Sequence, residues 1–162
     1  MIYPLVPANH PQLKIKAERF DFYNPPVSPL ELAVDLSESM MYNNGIGLAA
    51  NQLGWPYRAF SVLADPLIVC FNPFIVDTSE ETVELEEGCL TFPGLILKIS
   101  RPKSIKIRYT QPNGETVTNI YTGMTARIMQ HEIDHLNGHL FTELVGPVAL
   151  ALAKNKASKI RR

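Results

Sequence analysis

The segment Gln130-His131-Glu132-Ile133-Asp134-His135-Leu136-Asn137-Gly138 decides how the rest of the chain is read. Its core has the form H-E-x-x-H, two imidazoles four residues apart with a carboxylate beside the first. On a helix, residues four apart stack on one face, so His131 and His135 can grip a single metal ion. Glu132 stands about 100° further round the wheel, near enough to touch a water at that ion without ligating it. This layout suits metal-assisted hydrolysis with Glu132 as general base. The same five residues also fit a polar helix end whose histidines only hydrogen-bond, so the pattern needs support from elsewhere.

From Gly123 the periodicity is helical: Met124, Ile128, His131 and His135 share one face, and Met129, Ile133, Leu136 and Leu140 another. A helix apolar on two faces is buried on most sides, which puts both histidines at the floor of a cavity. Upstream, residues 103–109 alternate polar with apolar as a half-buried strand does. Asn113-Gly114 marks a turn, and residues 115–121 return antiparallel. Residues 58–63, 67–76 and 82–92 read as further strands, separated by Asp65-Pro66 and polar turns. Ser28, Pro29 and Glu31 cap and open an earlier helix that Asn43-Asn44-Gly45 stops. The first 27 residues, rich in Pro and Asn, read as irregular chain around a core. The basic tail, residues 154–162, reads as a solvated, frayed terminus; weak attraction to an anion such as ribosomal RNA is its functional alternative.

At 162 residues, 46% hydrophobic and 19% charged, the chain reads as one globular domain, residues 1–162. A net charge of −1 gives no general attraction to DNA or to a membrane surface. No apolar run approaches the ~20 residues of a membrane span. The N-terminal stretch lacks a basic segment followed by an apolar core, so a cytoplasmic location is expected. Cys70 and Cys89 are read as free thiols or a thiolate ligand rather than a disulfide.

Catalytic zinc-like sites commonly use three protein ligands and leave one position open. Cys89, in Glu86-Glu87-Gly88-Cys89-Leu90-Thr91-Phe92-Pro93, is the candidate third ligand, although a cysteine there also suits a small core position. Other soft donors are few, only Cys70, His10 and His139: Cys70 lies in an apolar run, and His139 falls off the helix face. Gly88 is expected to let backbone approach a metal closely. A further segment, Gly45-Ile46-Gly47-Leu48-Ala49-Ala50-Asn51-Gln52, can pack tightly or receive an extended ligand. Ala50 stands where a dinucleotide fingerprint needs glycine, and a helix precedes the glycines rather than following them. Gln52 adds a neutral amide donor suited to a developing oxyanion.

Taken together, these segments resemble peptide deformylases, whose motifs have the form G-φ-G-φ-A-A-x-Q, E-G-C-φ-S and H-E-φ-D-H in that order. The resemblance covers roughly residues 5–145. It implies an α+β fold, antiparallel sheets packed around a central helix that carries H-E-x-x-H. It implies a metal held by Cys89, His131 and His135, with Glu132 as proton carrier and with Gln52 and the Leu90 N–H receiving the oxyanion. Gly45, Ile46 and Gly47 would lie along the substrate as an added strand, a mode that tolerates any peptide sequence. The implied substrate is a nascent peptide beginning with formyl-methionine, and formate is released. Ferrous iron is the implied native metal, with Zn2+ a possible occupant. Ile46, Met124 and Ile128 are expected around the methionine side chain. Glu87, two residues before Cys89 on a strand, is expected to reach a ligand histidine from the second shell of the site, while Asp134 turns towards a base such as Arg101. A solvated acid in Glu84-Leu85-Glu86-Glu87 is the plainer reading of Glu87.

Three departures from the family pattern stand out. Thr91 replaces the usual serine, Ile96 replaces an arginine that many bacterial members carry near the peptide, and the segment after Phe141 is shorter than their long terminal helix. That helix is linked with ribosome docking in the family, so ribosome association is open here. Two rival readings remain. A zinc endopeptidase would need a downstream His or Glu ligand, and Glu143 is the only acid after His135. A non-catalytic domain stabilised by metal would need a closed four-ligand site, for which only three ligands are well placed.

Overall fold

The computed structural model describes residues 1–160; Arg161 and Arg162, the end of the basic tail, lie outside the described residues. Helix α1 spans Pro29–Tyr42, and the Ser28 hydroxyl accepts the Glu31 N–H at 3.3 Å, as its capping sequence predicts. Strands β1 (Gly47–Ala49), β2 (Ala59–Val62), β3 (Ile68–Thr78), β6 (Ser104–Thr110) and β7 (Thr116–Thr122) form one antiparallel sheet in the order β1-β2-β3-β6-β7. Strands β4 (Thr82–Cys89) and β5 (Phe92–Pro102) make a separate hairpin. Helix α2, Gly123–Leu136, packs its Ala126, Met129, Ile133 and Leu136 on Phe60, Val62, Ile105 and Ile107 of the large sheet. Its other side meets the hairpin, so the expected α+β arrangement around a buried central helix is the observed one. Each large side chain buried there contributes about 1.5–3 kcal/mol, which fixes α2 firmly in depth and rotation.

The sequence reading of residues 82–92 as one strand is incorrect. The strand stops at Cys89, turns through Leu90-Thr91 and returns as β5. Pro93-Gly94 lies within β5, where the register slips between the pairs Glu87↔Leu97 and Cys89↔Phe92 and the extra residues are absorbed in that irregularity. Leu95, Leu97, Ile99 and Arg101 alternate with exposed or half-exposed neighbours, so a period-two signal was present.

The frayed tail is also incorrect. Residues Pro147–Ile160 form helix α3, which lays Leu150 and Ala153 on Leu95, Leu97 and Phe141 and buries Ala157. Proline at the first position and an Ala/Leu-rich run favour that helix, and the count of basic residues had masked its apolar spacing.

The C-terminal end of α2 is anchored through Gly138, which has φ +80°. A Cβ there would stand 2.7 Å from the Lys14 carbonyl oxygen, so the irregular N-terminal chain passes directly against it. Ala17 then donates its N–H to the Leu136 carbonyl at 2.7 Å. Only glycine satisfies both the left-handed backbone and the close approach. Gly138→Ala is expected to cost about 2–4 kcal/mol, combining backbone strain with overpacking against a main chain that cannot yield easily. Equilibrium urea unfolding measures this; a loss under about 0.5 kcal/mol, the range of ordinary surface substitutions, would refute the anchor.

Candidate metal centre

Three elements deliver the predicted residues to one place. Helix α2 presents His131 and His135, 7% and 1% exposed, with ring centroids 5.1 Å apart. The end of β4 brings in Cys89, whose sulfur lies 3.3 Å from His135 Nε2. One donor atom from each of Cys89, His131 and His135 falls within 4.8 Å of the others. Tetrahedral ligation at bond lengths of 2.0–2.3 Å places donors about 3.5 Å apart, so these residues fit a single cation after small adjustments. Cys70 is fully buried in the core and unconnected to this cluster, and burial pushes its thiol up. His139 is exposed, and His10 caps a 3₁₀ turn by accepting the Gln12 N–H.

Glu87 is buried and is not a solvated acid. Its Oε1 meets His131 Nδ1 at 2.9 Å, which leaves Nε2 of that ring for a cation. Arg101 donates to both oxygens of Glu87, at 2.6 and 2.9 Å, and to Asp134 at 2.8 Å. Arg127 donates to Glu87 Oε2 at 2.6 Å and to the Ile99 carbonyl at 2.9 Å. Burial by itself would raise the Glu87 carboxyl, but the hydrogen bonds from His131 and Arg101 prevail and hold it down at about 2. For His131 burial also opposes the charged form, and hydrogen bonding with Cys89 and Glu87 outweighs it, carrying the imidazole up to about 10. His135 goes the other way: burial first, then the charges of His131 and Arg101, push it well below the usual histidine range. A cation here therefore competes with a proton on His131.

Glu132 is 4% exposed, and its Oε2 is buried with no hydrogen-bond partner among the described residues. Burial raises its carboxyl to about 7. An unpartnered buried carboxylate beside a convergent donor set is what a site for a cation and its water requires.

Strand β1 forms the opposite wall. At Gly47 a Cβ would stand 2.6 Å from Ile128 Cγ2 and 2.7 Å from Glu132 Oε1, and at Gly45 it would stand 2.6 Å from Leu90 Cδ1. These glycines let α2 and the hairpin turn close upon β1. At Gly88 the nearest atom among the described residues is Ile96 Cδ1, 3.4 Å from where a Cβ would stand, an ordinary contact. β1 is an edge strand, and the Ile46 carbonyl accepts the Leu63 N–H at 2.8 Å. Alternation then turns the backbone groups of Gly47 towards the open side. A cavity of about 540 Å³ lies alongside, walled by Leu5, Ile46, Leu90, Met124 and Ile128, with Gln52 and Glu132 at its floor.

Gln52 is 2% exposed and held at both ends of its amide. Its oxygen accepts the Ala49 N–H at 2.9 Å, and its nitrogen donates to Thr91 Oγ1 at 3.1 Å and lies 3.7 Å from Cys89 Sγ. Thr91 thus retains the hydroxyl contact despite its extra methyl group.

Sequence reading had missed Arg127 and Asn51. Arg127 lies four residues before His131 on the same helical face, a spacing that was legible. Asn51 is fully buried and donates its amide N–H to the His135 carbonyl, across 84 residues of sequence that no local pattern spans.

The fold and this donor cluster define a metallohydrolase of the H-E-x-x-H kind. The polypeptide deformylase family profile matches residues 2–149. The chain is 41% identical over 131 residues to the peptide deformylase of Fusobacterium nucleatum, covering 79% of this chain and 75% of that one. It is 40% identical over 126 residues to that of Thermotoga petrophila, 77% of each chain. A crystal structure of a peptide deformylase from Legionella pneumophila superposes with a TM-score of 0.89 at 29% identity, covering 100% of this chain and 96% of that one. The chain belongs to the peptide deformylase family, and is a metal-dependent enzyme that removes the formyl group from the N-terminus of nascent peptides.

Proposed function

We propose that Cys89, His131 and His135 hold one divalent cation and that Glu132, Gln52 and Leu90 carry out the deformylation beside it. The observation that supports this most directly is the convergence of the three donors next to the buried, unpartnered carboxylate of Glu132. One thiolate with two imidazoles suits Fe2+ or Zn2+, and ferrous iron is the proposed native ion. When bound, the cation supplies Lewis acidity that makes hydroxide available near neutral pH.

In this reading the substrate runs as an extra strand along Gly45, Ile46 and Gly47, so its formyl end meets the floor of the cavity. Its methionine side chain lies among Ile46, Met124 and Ile128. Glu132 takes a proton as water adds to the formyl carbon. The Gln52 amide and the Leu90 N–H donate to the oxygen that gains charge, and Gln52 is already fixed by Ala49 and Thr91. The C–N bond breaks, formate leaves, and Glu132 returns the proton to the amine. The chain acts as one catalytic domain, in the cytoplasm, on peptides rather than on DNA or membranes. Lys154, Lys156 and Lys159 are exposed on α3 and would serve any ribosome association. No helix among the described residues is long and apolar enough to cross a membrane.

Protein purified without oxygen and assayed for metal should release formate from a formyl-methionyl peptide and spare its acetyl analogue. Glu132→Gln should keep the metal and lose about 10²–10⁴ in rate. Near-normal turnover by a metal-replete variant would remove Glu132 from the assigned role.

Gln52→Leu separates stabilisation of charge from binding. It should lower kcat by about 10²–10³ with a smaller effect on KM. A change in KM alone would make Gln52 a substrate-binding residue and nothing more.

Glu87→Ala removes the carboxylate that orients His131, and metal affinity should fall roughly 10- to 100-fold. Competition with a chelator reads this directly. Unchanged affinity would leave Glu87 with only its structural contacts.

A further inference from the structure

Beside the catalytic cavity lies a second hollow of about 540 Å³, between β5 and α3. The two adjoin: Glu86 and Gly94 line both. Ile96, half exposed on the wall of the second, reaches over Gly88 in the first, with its Cδ1 3.4 Å from where a Cβ on Gly88 would stand. The helix side of the hollow is a stripe at helical spacing: Ala149, Leu152, Ala153, Lys156 and Ile160. Leu150 and Ala153 pack on the hairpin, whereas Leu152 and Ile160 remain 65% and 71% exposed. Glu86, Lys98 and Lys156 bring both signs of charge to the rim. The result is an apolar trough with both signs of charge at its rim.

The geometry points to this trough as a binding subsite for the downstream residues of the formylated peptide substrate. The inference rests on the deformylase reading of the first cavity. With the formyl end at its floor, the remainder of the peptide must leave through a rim, and the rim at Glu86 and Gly94 borders the trough. An extended peptide advances about 3.3 Å per residue, so side chains from about the fourth onward reach beyond the cavity. Small alanine side chains on α3 leave room for apolar groups of varied shape, which suits substrates that share only their first residue. Binding there is remote from the reacting atoms and should act on substrate and transition state alike.

The test compares the metal-loaded enzyme on formyl-Met-Ala with formylated peptides of about eight residues that carry leucine or aspartate at the fifth to seventh positions. Partial burial of one or two leucines should raise kcat/KM about tenfold over the dipeptide, mostly through KM, and the aspartate peptide should gain far less. Leu152→Glu and Ala149→Trp, both at exposed sites on α3, should abolish the gain from length while leaving dipeptide turnover unchanged. Val148→Glu, which is exposed on α3 outside the trough, should retain the gain. Equal kcat/KM for dipeptide and leucine peptide overturns the subsite, as does a gain that survives both trough variants; either result assigns the trough to a different occupant, such as a protein or ribosomal RNA. Failure to release formate even from the dipeptide would instead sink the deformylase reading, and this inference with it.

Discussion

The carboxylate of Glu87 is the constraint on which the site depends. It is buried among Arg101, Arg127 and His131, and these come from β5 and α2 while Glu87 itself comes from β4. Withdrawing such charges from water costs several kcal/mol each, and good geometry with full hydrogen bonding is needed to offset it. Here it is available: both oxygens accept from Arg101, and Arg127 also satisfies the Ile99 and Val83 carbonyls. An arrangement with that much at stake tolerates little sliding of the hairpin over α2. The same contact fixes His131 in ring orientation and Cys89 in position, because Cys89 is two residues along the strand from Glu87. Structural register and donor geometry are one constraint.

Glycines on β1 set the complementary limit. The charged cluster holds the hairpin to one side of α2, and Gly45 and Gly47 let the sheet edge close from the other. Ile128 and Glu132 occupy the space that a side chain at Gly47 would need. This closeness explains why Glu132 is so deeply buried and why its carboxyl is raised. A wider gap would admit water, stabilise the charged form and lower the carboxyl again. The edge of β1 remains open to a peptide because its inner side is already paired with β2.

Most of the site was legible in the sequence because its residues lie in short local patterns. His131, Glu132 and His135 are fixed by helical periodicity alone, and Glu87 is related to Cys89 by strand alternation. The pairing of Arg101 with Asp134 was read from charge and direction and is present at 2.8 Å. What escaped was non-local or disguised. Arg127 becomes a partner of Glu87 only through a contact spanning 40 residues. β5 was obscured by Pro93-Gly94, whose effect is a slip of register rather than an end to pairing. α3 was hidden because its outer face is basic and its inner face is mostly alanine, a residue that contributes little to an apolar pattern yet forms the best helix.

The origins of the donors bear on how the centre behaves. His131 and His135 stand, both buried, on a helix packed against the large sheet. Cys89 stands at the tip of a two-stranded hairpin, and two strands without further support are marginally stable in water. That support comes from Phe92, Leu95 and Leu97, which pack with Phe141 and with α3. Phe141 also lies against His131, with ring centroids 5.4 Å apart. The C-terminal segment therefore bolts the hairpin of Cys89 to the helix of the two histidines. Loosening α3 would shift Cys89 before it disturbed His131 or His135, because local openings begin where the fewest apolar contacts hold. The hairpin that α3 supports carries Cys89, one of the three residues that converge on the site.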